Sequence, residues 1–331
     1  MKRIQWLLLV LLVAGTVLVI HLQNTAPYRH DNGQIFGTYY RITYQNDRDL
    51  HTEIMYAFNE VDSSLSMFNP NSTVSRVNRN EDTEVDRLFG YLFPRAQKIS
   101  ERTDGAFDIT VAPLVNAWGF GFREDKWPSK QTVDSIMAFV GYGKVRLEDK
   151  KIRKEDPRTM IDLSAIAKGY GADRVAQALD RAKVRNYLIE IGGEIVAKGT
   201  NEKGDDWRIG VAKPTDETGQ EGYQCILQLS GQAVATSGNY RNFHYKDGVK
   251  YAHTINPKTG YPVQQDIISA TVVASECYEA DAFATSFMVM GLEKAKKVLA
   301  ANRQLEAYLV YIRNGKQQVW MSEGFGKYLV E

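Results

Sequence analysis

Asn186-Tyr187-Leu188-Ile189-Glu190-Ile191-Gly192-Gly193-Glu194-Ile195-Val196-Ala197 decides the fold class of this 331-residue chain. Two short apolar runs flank a Gly-Gly pair, so Tyr187 to Ile191 and Glu194 to Ala197 read as strands joined by a turn. Upstream, Met160-Ile161-Asp162-Leu163-Ser164 leads into a helix over about 165–183. Downstream, 207–212 and 267–274 read as further strands, followed by helices over 280–290 and 292–302. A last hairpin turns at Asn314-Gly315. Nearer the N-terminus, 36–44 is β-branched and aromatic, hence a strand. The spacing of Ile54, Ala57, Phe58 and Val61 predicts a helix over 51–65. Asn69 to Ser72 is a turn cluster. Leu88, Leu92, Ala96 and Ile99 predict a helix over 85–103, which Pro94 should kink or split. Asp104-Gly105 precedes a strand at 106–110; a short helix near 130–140 and a strand pair near 145–152 complete the middle. Strands and helices come in runs rather than in strict alternation, which predicts an α+β fold.

Outside that region the chain opens on Lys2-Arg3 and an uncharged run from Trp6 to Ile20. A basic start before such a run is an export signal or an uncleaved anchor, here residues 1–22. The basic residues precede the run, so the remainder lies outside the cytoplasm, on the periplasmic side of the inner membrane. A polar linker follows over 23–32, and a single large domain over 33–331. The formal charge of +1 gives no electrostatic basis for binding nucleic acid. Cys225 and Cys277 are too few for a cysteine metal site; they can pair in an oxidising compartment or serve as small apolar residues.

Four segments carry candidate chemistry. Asp281 and Thr285 lie four residues apart on one helical face, offering a carboxylate and a hydroxyl to a hard cation such as Mg2+, or else a favourable helix-dipole charge and a packed Thr. Asp162 stands at a helix entrance with Lys168 one turn in, suited to a phosphate, or to a helix cap and a surface Lys. His253 precedes the turn-forming Asn256-Pro257-Lys258-Thr259-Gly260, placed as a base, a donor or a structural residue. The fourth, Thr103 to Thr110 with Pro113 to Gly121, can wall a planar-ring pocket.

Taken in order, TDGAFDITVAPLVNAWGFG, IDLSAIAKGYGADRVA, NYLIEIGGEI, AVATSGNYRNF, HTINPKTGYPV and ADAFATSFMVMG resemble the ApbE family of FAD:protein FMN transferases. With Phe36-Gly37-Thr38 ahead of them, the resemblance spans nearly all of the chain after the leader. It implies a mixed architecture related to the T-fold and a Mg2+ ion beside the FAD diphosphate. The implied metal ligands are the Ala165 carbonyl, Asp281 and Thr285, with the Ala284 backbone close by. FAD, the substrate, would be held by Phe36, Phe68, Ala106, Phe107, Asp108, Asp162, Lys168 and Ile255. His253 and Asp162 are the candidate catalytic residues. The implied reaction moves FMN to a Thr or Ser hydroxyl of a flavoprotein subunit of Nqr- or Rnf-type electron-transport complexes, releasing AMP. A pyrophosphatase that yields FMN and AMP, and a non-catalytic flavin carrier, are the alternatives. Phe36 replaces the family's usual Met, Ser66-Met67-Phe68 replaces Ser-Thr-Tyr or Ser-Thr-Trp, and no lipobox Cys follows the leader.

Overall fold

The computed structural model describes residues 2–24, 26–81, 84–121, 127–214, 222–239, 243–246 and 249–330. The first half holds α1 (Lys2–Asn24), β1 (Tyr28–Ile35), β2 (Thr38–Gln45), α2 (His51–Leu65), α3 (Thr73–Asn78), α4 (Arg87–Arg102), α5 (Ala112–Ala117), α6 (Lys130–Met137), β3 (Val145–Glu148) and β4 (Lys151–Lys154). After α7 (Ser164–Arg181) come β5 (Tyr187–Ile191), β6 (Glu194–Lys198), β7 (Trp207–Ala212), β8 (Tyr223–Leu229), β9 (Gln232–Gly238), β10 (Phe243–Lys246) and β11 (Val249–Ala252). The chain ends with β12 (Ile267–Ala274), α8 (Cys277–Met290), α9 (Leu292–Ala301), β13 (Glu306–Arg313) and β14 (Lys316–Met321).

Eight strands form one sheet in the order β1-β2-β5-β6-β9-β12-β13-β14, every neighbouring pair antiparallel. Its centre is the hairpin read first from the sequence: Gly192 and Gly193 take φ of 62° and 111°, a region open to glycine. Alternation then sends side chains to opposite faces. Ile42, Ile189, Ala233, Ala235, Val272 and Leu309 face α2, α7 and α8. Ile195, Val234, Val273 and Val310 face Trp207, Ile209 and Val211 of β7 with Leu227 and Leu229 of β8. One face is thus covered by helices and the other by a two-stranded ribbon, an α+β arrangement.

Several boundaries differ from the reading of the sequence. The polar stretch expected as a linker over 23–32 becomes β1 from Tyr28 onward, paired along its whole length with β2; a polar edge strand lacks the alternation that marks a strand in sequence. Segment 106–110 is a loop rather than a strand, because Asp108 Oδ1 accepts from both the N–H and the hydroxyl of Thr110 (2.7 and 2.6 Å), fixing a local turn in place of a ladder. Pro94 does not split α4, which runs unbroken from Arg87 to Arg102. Both cysteines are free, Cys277 in the core at the start of α8 and Cys225 on β8. The Asn314-Gly315 turn closes β13 on β14 with φ of 53° and 71°. Helix α1 is exposed along Arg3–Ile20, with a mean hydropathy of 2.2 over those 18 residues; it is long and apolar enough to cross a membrane.

Candidate active site

The site is set by how closely two helices approach. A Cβ on Gly169 of α7 would lie 2.4 Å from the Cys277 carbonyl oxygen and 2.9 Å from Asp281 Cβ, so only glycine permits this contact between α7 and α8. The Gly169 N–H donates to Asp281 Oδ2 at 3.0 Å. One turn further along α7, the buried Asp173 accepts from the N–H groups of Cys277 and Tyr278 at 2.8 and 2.9 Å. It thereby caps α8, whose preceding residue Glu276 makes no side-chain cap. These contacts lock the second and third turns of α7 beside the first turns of α8.

Around that junction lies a cavity of about 920 Å³. Ser164, Ala165 and Lys168 of α7 and Asp281 and Thr285 of α8 line it, with Glu194 from the start of β6. Further walls come from Ala106, Phe107 and Asp108, from His253, Ile255 and Pro257, and from Thr236 to Gly238 of β9. The Thr285 hydroxyl lies 3.1 Å from the Ser237 hydroxyl, tying α8 to the end of β9. The His253 ring meets Phe120 edge-on at 6.5 Å between centroids. Asp162 Oδ1 accepts from Ser164 N–H and Oγ at 2.8 and 2.6 Å, holding the entrance of α7.

The electrostatics centre on two buried carboxylates, Glu194 and Asp281, and the partly buried ammonium of Lys168. Lys168 Nζ donates to Glu194 Oε1 at 2.5 Å, and Glu194 Oε2 is buried without a hydrogen-bond partner. Burial raises the Glu194 carboxyl to about 7, with Lys168 opposing and Asp281 adding to the rise. Burial likewise lifts the Asp281 carboxyl, against the pull of Lys168 and the Gly169 N–H. Burial works against the Lys168 charge, but Asp281 and Glu194 outweigh it, so the ammonium is held more tightly than in water. Two carboxylates against one ammonium leave the cluster with surplus negative charge when ionised. Asp108 and Asp162 are also raised by burial, each partly relieved by its own hydrogen bonds.

That balance suits a divalent cation. Asp281, Thr285 and Ala165 line the cavity and could offer a carboxylate, a hydroxyl and a carbonyl oxygen, the donor type a hard ion prefers, and the orphaned Glu194 oxygen marks a polar demand that the protein alone leaves unmet. Among the described residues no group of three or more His, Cys, Asp or Glu side chains is arranged to hold a metal. An ion here would therefore keep water or substrate oxygens.

The cavity gathers Ala106, Phe107, Asp108, Asp162, Ala165, Lys168, His253, Ile255, Asp281 and Thr285 from the residues read in sequence. Three others fall outside its wall. Phe36, at a φ of 52°, packs edge-on against Phe58 at 5.8 Å and against the Gly171 face of α7. Phe68 is 73% exposed. The Ala284 side chain is wholly buried in the core. Residues 240–242 of the AVATSGNYRNF segment lie outside the described residues. Glu194, Asp173 and Ser237 were missed as functional positions. Glu194 did leave a signal, a charged residue opening an apolar strand straight after a Gly-Gly turn.

Comparison with known proteins places the chain among relatives of the same fold. The ApbE family model matches residues 36–309. A Haemophilus influenzae protein named FAD:protein FMN transferase is 36% identical over 317 residues, spanning 91% of each chain. A Vibrio cholerae protein of the same name is 37% identical over 302 residues, spanning 88% of this chain and 90% of that one. The structure of the flavin transferase ApbE from Vibrio cholerae matches with a TM-score of 0.84 at 35% identity, covering 92% of this chain and all of the other. With six sequence motifs converging on one cavity and a family match over most of its length, this chain belongs to the ApbE family.

Proposed function

We propose that this chain is an FAD:protein FMN transferase that moves the FMN half of FAD onto a Thr or Ser hydroxyl of an acceptor flavoprotein. The observation that carries the reading is the junction of α7 and α8, where Lys168, Ala165, Asp281 and Thr285 share one cavity with the 106–108 loop and His253. The names of its relatives support the same activity.

In this reading the hydroxyl oxygen of the acceptor forms a bond to the FMN-side phosphorus while the phosphoanhydride bond to AMP breaks. AMP leaves with the bridging oxygen and its electron pair, and the hydroxyl proton passes to His253. An imidazole suits that step near neutral pH. Asp162 is a positioning residue, because one of its oxygens already holds the Ser164 N–H and hydroxyl. Lys168, steadied by Glu194, places positive charge against the diphosphate. A Mg2+ ion held by Asp281, Thr285 and the Ala165 carbonyl would offset the charge that develops on the phosphate oxygens. The acceptors are flavin-carrying subunits of Nqr- or Rnf-type complexes, reached on the periplasmic side, where α1 exports or anchors the domain.

The test is incubation of the purified protein with FAD, Mg2+ and the flavin-carrying domain of an Rnf-type subunit. Flavin fluorescence that stays with the acceptor through a denaturing gel supports transfer. Release of FMN and AMP with an unlabelled acceptor makes the chain a hydrolase, and bound but intact FAD makes it a carrier.

A further inference from the structure

One strand beside the cavity has an unused side. The β7–β8 ribbon lies on the sheet through Trp207, Ile209 and Val211. The outer edge of β8 is covered by the end of the chain, where Leu227 bridges Leu329 and the Val330 N–H donates to Ile226 O at 3.0 Å. Among the described residues, the outer edge of β7 has only the Thr200–Asp206 bridge just before it begins. Among the described residues no strand pairs with 208–212 on that side. Those same five consecutive residues line the cavity that ends on Asp281 and Thr285.

An unpaired strand edge presents alternating N–H and C=O groups, a template for any extended chain, and proteins usually blunt such edges. This one is left open where the reaction occurs. Its outward-facing residues, Arg208 and Gly210, include no proline. Gly210 keeps the profile low: a Cβ there would lie 2.2 Å from Tyr223 Cε1, so the Tyr223 ring rests across the strand. A cavity of about 920 Å³ cannot admit a folded domain together with a dinucleotide. A polypeptide nucleophile must therefore reach in as a short segment of chain, and an open strand edge on the cavity wall favours an extended one.

We propose that the acceptor docks by adding an extended segment to the open edge of β7, which carries its hydroxyl toward the Asp281–Thr285 end of the cavity. The inference rests on the transfer reading above and specifies how the protein substrate is held. Backbone pairing supplies affinity, and the side chains of alternate residues supply selectivity.

The experiment is amide hydrogen exchange by mass spectrometry on the full chain with FAD and Mg2+, with and without the Rnf-type acceptor domain. Exchange over 207–212 should slow severalfold when acceptor is added. In parallel, Arg208→Pro and Ile209→Pro remove adjacent N–H groups, only one of which faces outward. The outward one should raise KM for acceptor about tenfold, with FAD affinity and Tm preserved, whereas the inward one should lower Tm. Labelled acceptor with unchanged exchange at 207–212, and unchanged acceptor KM in both variants, overturns strand addition and leaves the transfer reading standing. Slowing that depends on enzyme concentration without acceptor assigns the edge to a second copy and overturns it as well. An acceptor that is never labelled overturns the transfer reading, and this inference with it.

Discussion

In the proposed reaction the chemistry turns on Asp281, which is buried, bonded to the Gly169 N–H through one oxygen, and on the cavity wall. Asp281→Ala should reduce acceptor labelling about a hundredfold or more, the scale expected when a charge-stabilising group is removed. Circular dichroism and Tm should show a folded protein, and labelling at the normal rate under saturating Mg2+ would remove Asp281 from the site. Lys168→Ala should weaken FAD binding about tenfold, in line with losing a charge-assisted contact. That substitution also strands Glu194 inside the protein, so Lys168→Ala/Glu194→Gln separates the two effects. Recovered stability with FAD affinity still reduced is the expected pattern by fluorescence titration. That Asp281 and Thr285 share one helical face and that Lys168 sits one turn into a helix was legible in the sequence, because helical spacing is a local property; that all three line one cavity was not. Glu194 reaches Lys168 from a different element, and Asp173 caps a helix 104 residues away, so neither role is written in local spacing.

At the scale of elements, the junction of α7 and α8 is what the site rests on. Gly169→Ala would press a methyl group against the Cys277 carbonyl and Asp281 Cβ, an overpacking that costs about 1–3 kcal/mol. Both Tm and labelling should fall together, because the same shift that relieves the clash moves Asp281 from Lys168. An unchanged Tm would show that the helices are not in close contact at this point. Asp173→Ala should cost about 1–3 kcal/mol by leaving two buried N–H groups of α8 unpaired, read as a lower Tm whether or not FAD is present. The long amphipathic helices and the Gly-Gly and Asn-Gly hairpins were plain in the sequence, since each announces itself within a few residues. β1 and the loop at 106–110 were not. The first is a polar edge strand recognisable only from its partner β2, and the second is decided by Asp108 bonding to Thr110 against an apolar pattern that favours a strand.

For the whole molecule, the cavity draws on both faces of the sheet: α7 and α8 on one face bring Lys168 and Asp281 to it, β6 of the sheet itself brings Glu194, and the ribbon on the other face walls it. The strand order is a tertiary fact that no window of sequence contains, because β6 pairs with β9, and β9 with β12, across long intervening segments. Ahead of the domain, α1 should direct export. Fusing residues 1–24 to a reporter enzyme that is active only outside the cytoplasm should give activity, and a silent fusion would contradict that role. The domain itself should label acceptor at the same rate with residues 1–24 removed. The most direct measurement of the central claim is a crystal structure with FAD and Mg2+. The ion is expected on Asp281, Thr285 and the Ala165 carbonyl, with the diphosphate beside it and Lys168. A diphosphate bound away from the junction of α7 and α8, or an ion seated elsewhere, would contradict the account.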